Sequence, residues 1–425
     1  MTLLKRVFLI CLFHSVIYTI GSALPQGPFP DAVFGKSIKT VQFYKEGWDF
    51  SYPILDLNDN SSLHLSFDDL NNNIKNLNYV VVLCDADWMP SRLVYTEYLD
   101  GFYQNTITTY QSSFSTHISY VHYSLQLPNE NIKLKLSGNY IVLVYEDNED
   151  NPLFIKRFVA VDQKVNININ VKRPTLPRYQ NNYQEIDFSI FHGNFPIENP
   201  YQTVKTVIVK NNQWKFSITG LKPLFIRDNE LVYNYEEQNL FPGGNEYRSF
   251  DIKSLKYQSA NIQSIEPKAD AWYVTLKPDK PRSKTSYLSN QDLNGMYLIQ
   301  NQEGTNADFD AEYAHVKLTL PMEVPLTDGD IYVFGGFSDY NCYDDYKMTY
   351  NLEKQVYELD MLVKQGYYNY QYVYVPKKTA DVDERYFEGS FYETENNYVV
   401  YVYYRTFGSR YDQLIGVRSG NSIKK

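Results

Sequence analysis

The chain has 425 residues, among them 41 Tyr and 24 Phe, and a formal net charge of −10. That length predicts two to four domains, and aromatic side chains are plentiful enough to fill their cores. An acidic chain without a basic stripe argues against nucleic acid or an anionic membrane surface as the partner.

Residues 1–23 read as a secretory signal peptide. Lys5 and Arg6 form a basic start, Val7–Ile20 is apolar, and Gly21-Ser22-Ala23 offers small residues for cleavage. Without the leader's two basic residues the net charge is −12. The apolar run is too short to span a bilayer, and no later run approaches ~20 apolar residues. Cys11 follows Leu9-Ile10 rather than a small residue, which argues against a lipidated N-terminus. Cys84 and Cys342 remain in the mature chain, in different predicted domains. The plain reading is two unpaired thiols, because nothing in the sequence supplies disulfide geometry.

Leu24–Pro30 is a Pro-rich extended lead-in. Lys39–Tyr52, Leu63–Phe67, Tyr79–Leu83, Tyr120–Leu127, Gly138–Tyr145 and Phe154–Val161 then read as strands. Pro90 stops any ladder after Cys84, and Ser91 opens a short helical turn through Glu97. Short strands divided by turn signals predict a β-sandwich, assigned to residues 24–165. Strand-like sequence resumes from Gln184, with EIDFSIF, TVKTVIVK, WKFSITGL, Tyr247–Ser254 and Ala271–Lys277. These predict a second all-β unit over 166–290, ending in the Pro/Lys-rich Lys277–Lys284. No fixed-period repeat is visible, which argues against a propeller or solenoid.

The third unit, 291–425, holds the most regular patterns. Tyr368, Tyr370, Tyr372 and Tyr374 alternate with Asn369, Gln371, Val373 and Val375 along Gly366–Val375. Tyr398–Arg405 is apolar without alternation, as expected of a strand in the middle of a sheet or between two layers. Both are expected as core strands of one C-terminal sandwich. The fold expected is all-β: three consecutive β-sandwich, immunoglobulin-like domains after a signal peptide.

Motifs for chemistry are sparse. Asp85 and Asp87 form a D-x-D, which in an α/β nucleotide-binding fold could hold a metal–nucleotide. In all-β surroundings the expectation is that they cap a turn, with Trp88 packed beneath. His117 and His122 fall on opposite faces of a strand, which suits no shared metal. No H-E-x-x-H, C-x-x-C, G-x-S-x-G or P-loop motif occurs. The expectation is a protein without catalytic residues, cofactor or metal. The partner-binding candidates are aromatics in predicted turns: Phe102, Tyr103, Phe241, Tyr340, Tyr343 and Tyr346.

Several blocks in order resemble the plug protein family of the type IX secretion system of the Bacteroidetes. They include VQFYKEGWDFSYPILDLN (Val41–Asn58), CDADWMPS (Cys84–Ser91), SFSTHISYVHYSLQLPN (Ser113–Asn129) and GNEYRSFDIKSL (Gly244–Leu255). YNLEKQVYELDMLVKQGYYNYQYVYV (Tyr350–Val375) and EGSFYETENNYVVYVYYRTFGSRYDQLIG (Glu388–Gly416) complete them. GDIYVFGGFSDY (Gly329–Tyr340) and QGYYNYQY are also similar to early-set immunoglobulin-like domains, including glycogen-binding ones. The plug resemblance implies a periplasmic, non-enzymatic protein at the periplasmic mouth of the giant outer-membrane translocon barrel, blocking it while no cargo passes. The oligomeric state is left open, with one copy per barrel and no direct membrane insertion expected. Strands this short and uneven, and the C-terminus NSIKK without a terminal aromatic, do not suit an outer-membrane barrel. Two rival readings are a glycan-binding protein using aromatic loops of the third domain, and a secreted cargo of the same system.

Overall fold

The computed structural model describes residues 27–423, so the signal-peptide reading and Cys11 lie outside the described residues. The first sandwich pairs two sheets. One contains Gly138–Tyr145 between Phe154–Val161 and Asn78–Cys84, with Ala32–Val33 and Gln104–Thr106 further out. The other runs Ile38–Lys45, Leu63–Asp69, Val121–Leu127, Thr109–Ser112. Period-2 alternation sends Tyr140, Val142 and Val144 into the core between them, with Phe67, Tyr123 and Phe158. Ile141, Leu143 and Tyr145 point the other way and are equally buried. A sheet apolar on both faces must be covered on both faces.

The cover is a four-stranded sheet made of Ile218–Thr219, Val204–Lys210, Asn397–Tyr404 and Gln413–Asn421. Val399, Tyr401 and Tyr403 pack on Val80, Val82, Ile141 and Leu143 of the first sandwich. Tyr398, Val400, Val402 and Tyr404 face the opposite way, onto Ile186, Phe188 and Ile190. Those belong to a sheet ordered Asn166–Lys172, Tyr183–Phe191, Glu230–Tyr233, Phe225–Arg227. Four sheets are thus stacked, and the chain's closing strands lie inside the stack. Their unbroken apolar run is the consequence of having a core on each side.

This corrects two expectations. Asn397–Tyr404 pairs with Val204–Lys210 and not with Gly366–Pro376, so the two Tyr-rich strands belong to different sandwiches. The boundary at 290/291 also fails, because the third sandwich is inserted into the second. The chain leaves the middle unit after Leu240–Pro242, builds two sheets between Arg248 and Pro376, and returns at Asn397. One inserted sheet carries Arg248–Asp251, Tyr297–Ile299 and Gly329–Phe334 around Gly366–Pro376. The other carries Ile262–Pro267, Trp272–Leu276, Tyr313–Pro321, Val356–Lys364 and Thr349–Asn351. Tyr368, Tyr370, Tyr372 and Tyr374 all enter the core between them, as their alternation predicts. The all-β sandwich class holds throughout.

The two connections of the insertion run side by side. The backbone N–H of Phe391 donates to Gly244 O, and Asn396 Nδ2 donates to Gly243 O. A Cβ on Gly243 would stand 1.9 Å from Phe391 O, so only glycine allows this approach. At the root of the insertion, Glu388 takes Arg248 at 2.9 Å and Arg282 at 2.7 Å and is 1% exposed. Close by, burial lifts the Asp292 carboxyl to about 7, against the N–H groups of Asn294 and Tyr247 and helped by Glu246 and Glu395. A carboxyl raised in the folded state contributes stability that is complete below its unfolded value of 3.8 and is lost as pH rises towards 7. The melting temperature is therefore expected to fall across that window. Asp292→Asn should flatten the slope whatever its own offset, and an unchanged slope would show that Asp292 does not titrate there.

The inserted sandwich also closes onto the first one. Lys364 reaches Asp68 at 2.8 Å, Tyr313 OH donates to the same carboxylate at 2.7 Å, and Tyr120 OH donates to Ala311 O at 2.9 Å. Lys39–Asp345 and Lys156–Asp339 pair across the same boundary. Polar and charged contacts of this kind fix the relative placement of two sandwiches more than they add stability.

Candidate partner-binding surface

Of the six aromatics expected at a partner surface, one is openly displayed. Phe102 is 70% exposed, beyond the short strand Leu99–Gly101. Tyr103 beside it is half-buried, with its hydroxyl donating to Glu149 at 3.1 Å. Phe241 is a core residue of the middle unit, packed on Tyr398 with ring centroids 5.3 Å apart. Tyr340 is buried beneath Phe334, and its hydroxyl reaches Asn294 O. Tyr343 and Tyr346 are half-buried, and the Tyr343 hydroxyl accepts the Val33 N–H at 3.0 Å from the first sandwich. The turn assignments for Tyr343 and Tyr346 are sound. A neighbouring sandwich caps that loop, and a single sequence does not display such covering. The aromatic loop of the third sandwich is therefore no open glycan platform.

The D-x-D is a turn, as its surroundings suggest. Asp85 O accepts the Trp88 N–H at 2.9 Å, and Asp87 Oδ1 accepts the Met89 N–H at 3.3 Å. Asp85 pairs instead with Arg405 at 2.8 Å. Trp88 holds a left-handed φ of 66°, a strained conformation, in which its ring packs on Trp214 at 4.8 Å and under Arg157 at 4.5 Å. His117, His122 and His315 each face a carboxylate, Glu312, Asp68 and Asp360 respectively. Among the described residues no group of three His, Cys, Asp or Glu is placed to hold a metal ion. Cys84 and Cys342 are both free, and burial pushes the Cys342 thiol up.

Exposed apolar side chains also stand on three segments that contact one another. Helix Tyr95–Tyr98 follows the exposed Val94, and the Tyr95 ring is 5.4 Å from Tyr103, the neighbour of Phe102 in sequence. Glu97 pairs with Arg410, which ties the helix to the turn between the last two strands. Phe407 stands fully exposed on that turn. The Arg405 N–H donates to Thr203 O, placing helix Pro200–Thr203 and its exposed Tyr201 alongside. Val94, Tyr95, Phe102, Tyr201 and Phe407 are thus exposed apolar side chains on three separate stretches of sequence that these contacts link pairwise. Exposed apolar side chains on linked segments make these residues the partner-binding candidates among the described residues. Phe407 lay in reach of sequence reasoning, since Thr406-Phe407-Gly408-Ser409 is a turn between two apolar strands. Tyr201 and Tyr95 carry no such signal, because their neighbours come together only in the fold.

The family model for the first domain of type 9 secretion system plug proteins matches residues 38–162, which is the first sandwich. A crystal structure of a hypothetical protein from Parabacteroides merdae is similar over 93% of this chain and 100% of its own, at 36% identity and a TM-score of 0.89. The C-terminal domain of an antigen I/II-family protein from Streptococcus pyogenes aligns over 89% of this chain and 98% of its own, at 10% identity. Its TM-score is 0.15, and the likeness carries no argument. No curated protein matches the chain.

Proposed function

Because the chain belongs to the type IX secretion plug family, we propose that it occludes the periplasmic opening of that system's outer-membrane translocon barrel while no cargo passes. The observation carrying this reading is the plug-domain match over the first sandwich. The protein acts in the periplasm, after removal of residues 1–23, and stays at the outer membrane through contact with the barrel. It works by filling space, without catalysis.

The architecture suits that work. A plug must resist deformation, and here the closing strands of the chain are locked between two sheets while the insertion is pinned to the first sandwich. An interface of ~1,600 Å² is enough for a stable complex. The segments bearing Phe102, Tyr201 and Phe407 are the surface we assign to it, and the contact is expected to depend modestly on salt.

Deleting the gene is expected to make the outer membrane permeable to large antibiotics or dyes, and deleting the barrel as well should restore tightness. Unchanged permeability in a single deletion that still exports cargo would refute occlusion.

A further inference from the structure

A cleft of about 320 Å³ opens where all three sandwiches meet. Its size lies at the low end of the ~300–1,000 Å³ typical of small-molecule sites. The first sandwich contributes Gln42, Tyr44 and Asp49, the middle unit Asn212 to Lys215, and the insertion Tyr297 and Tyr340. The cleft is thus assembled only in the complete fold.

Its walls combine two kinds of group. Trp214, Tyr297 and Tyr340 supply aromatic surface, and Trp214 is held rigid between Trp88, at 4.8 Å, and Tyr401, at 4.7 Å. Gln42, Tyr44, Asp49, Asn212 and Lys215 also line the cleft. Among the described residues none of these five makes a side-chain hydrogen bond. Gln213, 2% exposed, donates to Tyr247 OH at 2.7 Å and leaves its own Oε1 unpaired. Polar groups withheld from the fold's own network are free to meet a ligand.

Charge narrows the class. Lys156 is paired with Asp339 and Asp31, and Arg157 is committed to Phe29 O. Asp49 and Lys215, one carboxylate and one ammonium, also line the cleft and make no ion pair among the described residues, so its remaining charge favours neither anions nor cations. Amides and hydroxyls around aromatic faces match a neutral polyhydroxylated ligand, whose ring C–H faces stack while its hydroxyls both donate and accept.

We propose that this three-domain cleft binds a neutral saccharide, independently of the docking segments. Trp214 lines the cleft, so occupancy should change intrinsic tryptophan fluorescence. The mature full-length protein is titrated with maltotriose and with an N-acetylglucosamine disaccharide. A saturable change with a Kd of about 1 mM or tighter is expected for at least one of them. Gln42→Ala and Asn212→Gly should each weaken it about tenfold, as loss of a bidentate or buried polar contact does. Gly preserves the left-handed backbone of residue 212, where φ is 60°. Native circular dichroism in either variant suffices to keep the comparison valid. No saturable response to either sugar overturns the proposal. So does equal affinity in both variants, or a response to an uncharged peptide in place of both sugars.

Discussion

Tyr401→Ala is expected to lower the unfolding free energy by about 3–5 kcal/mol, at the upper end for a single truncation. The residue is 1% exposed in Asn397–Tyr404, and its ring meets Trp214 at 4.7 Å on the side facing the first sandwich. Removing it leaves a cavity shared by two sandwiches, and the backbone cannot collapse into it. Cross-strand neighbours fix it from both edges, through Val207 on one strand and Val417 on the other. Val402→Ala, on the opposite face, should cost about 2 kcal/mol from ~0.8 kcal/mol per buried methylene plus a smaller void. Phe407→Ala, on the exposed turn just beyond, should stay within about 0.5 kcal/mol of the parent. Urea denaturation with an unchanged m-value distinguishes these effects from a change in the unfolded state. A wild-type midpoint for Tyr401→Ala would mean that this strand is not enclosed on both faces.

The same strand shows what the sequence makes legible. Its unbroken apolar run, YVVYVYY, requires cover on both sides, and cover on both sides is what it has. The run does not say with which strand it pairs. Its partner Val204–Lys210 lies far back in the chain, across the whole inserted sandwich, and TVKTVIVK carries no mark of that pairing. Local alternation fixes which face a side chain takes, while long-range pairing is decided by which sheets are left uncovered. The same limit applies to the surface. Phe241 follows the acidic, Tyr-rich stretch Tyr233–Leu240 and precedes Pro242-Gly243-Gly244, so it reads as a turn residue. Burial against Tyr398 reverses that reading, because the stacked sheet arrives from the C-terminal end. The exposed aromatics Tyr95, Tyr201 and Phe407 likewise lie far apart in sequence.

Lys364→Met is expected to cost about 3–5 kcal/mol near neutral pH, because it leaves a buried carboxylate without its counter-charge. Lys364 and Asp68 are 1% and 0% exposed at the boundary of the first and inserted sandwiches. The ammonium lies 2.8 Å from Asp68 Oδ2 and 4.1 Å above the Tyr120 ring, and it donates to Asp308 O at 3.0 Å. Burial alone would raise the Asp68 carboxyl, but Lys364 and then His122 hold it below 3.8. A carboxyl depressed in the folded state contributes stability that is present above its unfolded value and is lost as pH falls through its folded value. Without Lys364 the dominant depressing charge is gone, so Asp68 takes up a proton at higher pH in the variant. The deficit of Lys364→Met should therefore be largest near neutral pH and shrink as pH falls through the raised value of Asp68 in the variant. Asp68→Leu added to Lys364→Met should recover part of the loss, since apolar volume replaces a pair whose desolvation is itself costly. Recovery stays partial because Tyr313 OH and His122 Nδ1 lose the acceptor they share. A deficit independent of pH, with no recovery in the double variant, would mean that the first and inserted sandwiches are held together by something other than this pair.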